Sequence, residues 1–199
     1  MMNVPTSWIY NYADPVSQMD DWDLAMNAFG ELIGYGFPHN VRNISTLYVQ
    51  VDRDIQHGAY GTGYPQINNG YNPNSPTNGN STHFWLTNVL GWSTEYHELG
   101  HCQLFSKFPG HEESMVNLPY IYVATEYFGM GLVEAFTHSM LLGYLENIDV
   151  DQAALTWFVT ENFRNGRPMD LTNSEYNEVR YQHRGYGRYV EIATLFGWD

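Results

Sequence analysis

The sequence predicts a mainly helical α+β chain in which a small sheet precedes a helix carrying the pentapeptide His97-Glu98-Leu99-Gly100-His101. Three observations carry that expectation. Apolar residues recur at helical spacing near the N-terminus and again through the C-terminal third. Leu47, Val49 and Val51 alternate with Tyr48 and Gln50, the period of a half-buried strand. Finally, Ser93 or Thr94 offers an N-cap before the pentapeptide, with Glu95 in the first turn, and Pro109-Gly110 supplies a stop after Phe105.

Taken in order, Asp20 to Ile33 places Trp22, Met26, Phe29 and Ile33 on one helical face, so its aromatics are expected in a core. The strand around 47–51 follows. Gly58 to Pro65 holds three glycines and two tyrosines and leads into Asn68 to Thr82, rich in Asn, Gly, Pro and Ser. Together they read as one long loop between a strand and the motif helix, suited to the rim of a cleft. His83-Phe84-Trp85-Leu86 is expected to form a short strand just before that helix. Gly131 to Leu145, Asp151 to Phe163 and Asn173 to Phe196 read as helices, the last broken near Gly185 and Gly187. The apolar run from Leu118 to Leu145 contains Glu126, Glu134, Thr137 and His138, which favours a buried helix pair over a membrane span. Asn147 to Asp151 alternates like the start of a calcium loop but lacks its Gly and closing Glu, so helix capping is expected.

The pentapeptide is an HExxH motif, and its spacing encodes chemistry. On a helix, positions four apart lie about 40° apart around the axis, so His97 and His101 can present imidazoles to one zinc ion. Glu98 then projects beside the ion, where a carboxylate can take a proton from water. Two imidazoles leave zinc one protein ligand short. A third His at the metzincin position is absent, because Ser106 and Lys107 stand there and His111 comes too late. In His111-Glu112-Glu113-Ser114-Met115-Val116-Asn117, Glu113 and Asn117 are four apart and share a helix face. Glu113 can then reach the metal while the Asn117 amide orients a ligand. Glu112 has only Val116 in that relation, which makes it the weaker candidate. Pro119 should kink or restart the helix just after Asn117.

Composition narrows the partners. With 199 residues, 43% of them hydrophobic, the chain can bury a sizeable core and is expected to form a single domain over 1–199. Lys107 and seven Arg oppose 22 acidic residues, a net charge of −14, so neither nucleic acid nor an anionic membrane surface is an expected partner. Cys102 is the only cysteine, which leaves no internal disulfide. The start Met1-Met2-Asn3-Val4-Pro5 lacks the basic and apolar regions of a secretory signal. Two sequons, at Asn43 and Asn80, are too common a pattern to decide anything.

The HELGHCQ stretch, EESMVN downstream, HGAYGTGYPQI upstream and the ending YGRYVEIATLFGWD together resemble the enhancin-like, mucin-active zinc metallopeptidases of the gluzincin clan. The opening VPTSWIYNYADP is also similar, so the likeness spans nearly the whole chain. Cys102, where many relatives have Asn, and Pro119, in a segment that is usually continuous helix, depart from the pattern. The resemblance implies a zincin-like fold with His97, His101 and Glu113 as ligands and Glu98 as general base. It further implies an endopeptidase that hydrolyses O-glycosylated, mucin-like proteins by zinc-activated water, secreted or at the cell surface. This chain would then be a fragment of a longer multidomain protein.

In that clan an edge strand binds the substrate backbone, a role open here to His83–Leu86 or to Tyr64-Pro65-Gln66-Ile67. Tyr64 and Trp85 are the aromatic substrate contacts expected from these segments. A Tyr or His beyond the metal site supplies the oxyanion donor, for which His183, Tyr186 and Tyr189 are candidates. Arg180, Arg184 and Arg188 recur every four residues, as a solvated face or as contacts to a substrate carboxylate or sialic acid. Two other readings stand beside this one. A non-catalytic glycoprotein-binding module would keep the fold but has no use for Glu98, and a general zinc peptidase would need no glycan. Within the latter, an aminopeptidase is disfavoured because no GxMEN-type segment is present.

Overall fold

Helix α1 runs from Pro15 to Leu32 and starts five residues before the Asp20 that apolar spacing alone predicts. The reason is local. Asp14 is the N-cap, its carboxylate accepting from the Ser17 N–H at 3.0 Å, and Pro15 occupies the first turn, where its missing N–H costs nothing. The computed structural model describes residues 2–3, 14–34, 48–52, 59–61, 66–70, 89–91, 93–103, 112–139, 155, 164–165 and 186–198. These residues are mainly helical, and the chain divides into two compact units, Met1–Gln103 and Leu104–Asp199.

In the first unit, α1 buries Gln18, Trp22, Ala25, Ala28 and Phe29, one stripe at helical spacing. Trp22 and Phe29 are core residues, as their spacing predicts, whereas Met26 and Ile33 sit at the border and are only half-buried. Gly34, at φ 82°, ends the helix in the left-handed conformation that glycine adopts without strain.

Among the described residues, four strands form one sheet in the order β1 (Met2–Asn3), β2 (Tyr48–Asp52), β4 (Gln66–Gly70), β3 (Ala59–Gly61). β1 and β2 are parallel, as are β2 and β4, while β3 pairs antiparallel with β4. The alternation at 47–51 thus marks a central strand. Reading Gly58–Pro65 and the Asn-rich segment as one continuous loop is corrected: Ala59–Gly61 and Gln66–Gly70 make a hairpin, with Gly61 opposite Ile67 and Ala59 opposite Asn69. Weak strand formers such as Asn and Gly are held here by hydrogen bonds from both neighbours of β4, a tertiary gain that outweighs local propensity. The same pairing corrects the edge-strand candidate at Tyr64–Ile67. Gln66 and Ile67 belong to an interior strand, and among the described residues β3 is the strand paired on one side only at that end of the sheet. His83–Leu86 lies outside the described residues.

In the second unit, α3 (Glu112–Met115) is followed by a turn at Val116–Asn117 and by α4 (Leu118–Tyr122). This is the restart that Pro119 predicts. α4 runs on as a π-helix from Val123 to Tyr127, and Thr125 donates its hydroxyl proton to the Ile121 carbonyl at 2.9 Å, a side-chain competitor for backbone bonding. Gly129, at φ 68°, closes the segment, and the Met130 N–H reaches back six residues to the Ala124 carbonyl at 2.9 Å. The usual glycine-terminated helix end reaches back five, so the extra residue reflects the wider π turn.

α5 (Leu132–His138) packs against α4 and the π segment and buries Ala135 and Phe136. Within 118–139 the run is therefore helical on both sides of a break at Gly129, and no described helix is long and apolar enough to cross a membrane. α6 (Gly187–Phe196) begins after Tyr186, close to the break expected near Gly185 and Gly187. Its N-terminal end is tied to α5 by the Tyr186 and Phe136 rings at 5.4 Å, and its C-terminal end to α4 by Trp198 against Tyr122 at 5.1 Å. Of the expected helix at Asp151–Phe163 only Leu155 is described, and Asn173–Gly185 lies outside the described residues.

Candidate metal centre

The HExxH motif lies on α2, Thr94–Gln103, whose first helical bond runs from the His97 N–H to the Ser93 carbonyl at 2.9 Å. Ser93 therefore occupies the N-cap position. α2 packs against β3 and β4 of the sheet, and Tyr96 stacks on Trp22 of α1, with centroids 5.6 Å apart and planes 24° apart. Tyr96 and Leu99, which flank the motif's first His and Glu, are fully buried and fix the rotation of the helix about its axis.

That rotation brings the two imidazoles together. Nε2 of His97 and Nε2 of His101 are 3.1 Å apart, and the rings meet edge to face at 80°. Two nitrogens bound to a tetrahedral zinc at its usual bond length stand about 3.3 Å apart, so the separation fits one ion with a ligand–metal–ligand angle of about 100°. For both Nε2 atoms to act as ligands, each ring must carry its proton on Nδ1. In a metal-free chain the same distance also suits an N–H···N hydrogen bond between the rings.

The burial pattern of α2 is unusual for its composition. His97, Glu98 and Glu95 are 4%, 8% and 2% exposed, three ionisable side chains within about one turn. Such groups are seldom buried unless something compensates their charge, and their clustering marks a functional site more often than a packing core. Glu95 was expected in the first turn of the helix, where an acid normally complements the macrodipole from the surface. Instead, burial pushes its carboxyl well above the usual range; its own backbone hydrogen bond opposes this and the nearby Glu98 charge adds to it. Its Oε1 has no hydrogen-bond partner among the described residues. The sequence carries one signal of this, the i, i+3 spacing that puts Glu95 and Glu98 on a common face.

The remaining predicted residues belong to other segments of the chain. Glu113 and Glu112 lie on α3, and their side chains are outside the described part, so among the described residues no third ligand joins the two imidazoles. Asn117 is buried, and its Nδ2 donates to the Ser114 carbonyl at 3.2 Å, holding the turn between α3 and α4. Tyr64, Trp85 and His183 are outside the described residues, as are Arg180 and Arg184. Tyr189 accepts a hydrogen bond from Arg188 at 3.0 Å, with the guanidinium also 4.7 Å from its ring centroid.

Tyr186 is placed as a core residue rather than as an open donor. It is fully buried, its ring packs on Phe136, and its hydroxyl shares a hydrogen bond with Ser139. Burial pushes the phenol above its ordinary range, opposed by the Ser139 bond, so it stays protonated through any working pH. Tyr186→Phe is therefore expected to lower unfolding free energy by about 1 kcal/mol through the lost bond while leaving any turnover within about twofold. A hundredfold loss of turnover with unchanged stability would return it to the donor role.

Comparison of the chain with protein-family models, with characterised proteins and with solved structures gives no match.

Proposed function

We propose that the chain is a zinc-dependent endopeptidase with the zincin core of the gluzincins, and that its substrates are O-glycosylated, mucin-like proteins. The observation that carries the peptidase reading is the HExxH helix itself, with two imidazole nitrogens 3.1 Å apart and a buried carboxylate on the residue between their turns. His97 and His101 would hold the ion, with Glu113 as the third ligand that the family resemblance implies. When bound, zinc would supply Lewis-acid chemistry, polarising a carbonyl and lowering the pKa of water. Glu98 accepts the proton from that water and delivers it to the leaving amine. His97 and Glu98 sit in a site largely closed to solvent, where charge interactions are strong. β3, paired on one side only among the described residues and packed against α2, is the strand to which this reading gives the pairing with an extended substrate backbone.

The glycan requirement rests on the family resemblance, and so does a secreted or cell-surface location. A purified chain is expected to carry one zinc, measured by elemental analysis, and to lose it on His101→Ala. A zinc-free protein that also fails to take up added zinc would end the peptidase reading. For the substrate, one peptide is compared with and without its O-linked glycan. The glycosylated form should be cut and the bare form spared, because sugar contacts supply the energy that positions the peptide bond. Equal rates would leave a general zinc peptidase.

A further inference from the structure

The second unit contains an open pocket of about 490 Å³ between the π segment and the C-terminal end of α6. It shares no residue with the HExxH segment. Its lining includes Tyr122, Trp198, Met130, Leu132 and Glu126. Gly197, at φ 92°, turns the chain after α6 so that Trp198 folds back, where its Nε1–H donates to Glu126 Oε1 at 3.2 Å and its ring meets Tyr122 at 75°.

The hydrogen bonding of this pocket selects its ligand. Thr125 and Thr194 also line it, but each hydroxyl gives its single proton to a helix carbonyl, Ile121 at 2.9 Å and Val190 at 2.8 Å. Glu126 is exposed, and both of its contacts involve Oε1, so Oε2 is engaged by no described group. The described lining thus combines a carboxylate side chain, the aromatic residues Tyr122 and Trp198, and apolar residues. An anion would meet the Glu126 charge with no cationic side chain among the described lining residues to offset it. A sugar, which must satisfy several hydroxyls at once, finds too few open partners. A donor-rich cation on an apolar stem matches all three features, because ring faces and a carboxylate attract ammonium together and the chain's charge of −14 adds to the attraction. The volume, within the range of small-ligand sites, admits such a side chain with adjoining backbone.

We propose that this pocket binds an alkylammonium group of the lysine side-chain type, with Glu126 as counter-ion and Trp198 and Tyr122 as walls. The site stands independently of the zinc reading.

The test uses the full chain and the indole N–H resonance of Trp198 in two-dimensional NMR, assigned through Trp198→Phe. Titration with Nα-acetyl-lysine-N-methylamide should shift that resonance saturably, and the norleucine analogue, which keeps the stem and lacks the charge, should not. Glu126→Gln retains an oxygen to accept from Trp198 and removes the charge, so it should weaken lysine binding about tenfold without loss of fold. Added salt should weaken binding in the parent and much less in the variant. Three results would each overturn the proposal: no saturable shift with the lysine probe, equal binding of the norleucine analogue, or a shift produced by methyl N-acetylgalactosaminide in place of the amine.

Discussion

Glu98→Gln is expected to lower peptide-bond cleavage by roughly 10²- to 10⁴-fold while zinc content stays at one per chain, the range that a positioned general base contributes. The substitution isolates proton transfer. Glutamine keeps the size of the side chain, so the packing around a residue only 8% exposed is preserved, but an amide oxygen cannot carry away a proton at neutral pH. Neither imidazole is altered, and their 3.1 Å approach depends on the rotation of α2, which Tyr96 and Leu99 hold from inside the core. Cleavage within a few-fold of the parent, on a substrate that the parent cuts, would remove Glu98 from the reaction. Loss of zinc together with activity would instead make Glu98 part of what holds the ion.

Trp22→Ala should destabilise the first unit by about 3–5 kcal/mol, a large part of the stability of a typical domain. Trp22 is 4% exposed, and its ring stacks on Tyr96, the residue just before the first motif His. The indole Nε1 has no described hydrogen-bond partner, so its contribution is apolar burial and ring stacking. Removing the ring leaves a cavity under α2. Zinc affinity should fall along with stability, because the two imidazoles then lose their fixed orientation. Trp22→Phe keeps an aromatic face and should cost much less. Urea unfolding followed by circular dichroism gives the first quantity and competition with a chelator the second. A Trp22→Ala loss below about 1 kcal/mol would show that α1 does not brace the motif helix.

Several described features of the second unit are legible for local reasons. Pro119 cannot extend a helix from behind it without strain, and the chain restarts at Leu118 just after Asn117. The start of α6 just after Tyr186 follows from the glycine beside it, and within 118–139 the apolar run forms helices that meet at Gly129. Tyr186 shows where such reading stops. A tyrosine in the expected stretch of chain is equally suited to a core or to an oxyanion, and only its contacts with Phe136 and Ser139 distinguish them.

The sequence by itself determined the motif helix, its two imidazoles four residues apart, and the acid beside them, because helical periodicity fixes neighbours within one turn without help from the rest of the chain. It also marked the central strand and the core face of α1 through Trp22 and Phe29. Only the tertiary structure decided that Gln66–Gly70 is an interior strand and that, among the described residues, β3 is paired on one side only, since strand pairing joins residues whose local propensities say loop. It likewise decided that Glu95 is buried beside Glu98, and that Trp198 folds back to close a pocket on Glu126. Burial and long-range pairing depend on what the rest of the chain places against a residue, and no local pattern encodes that.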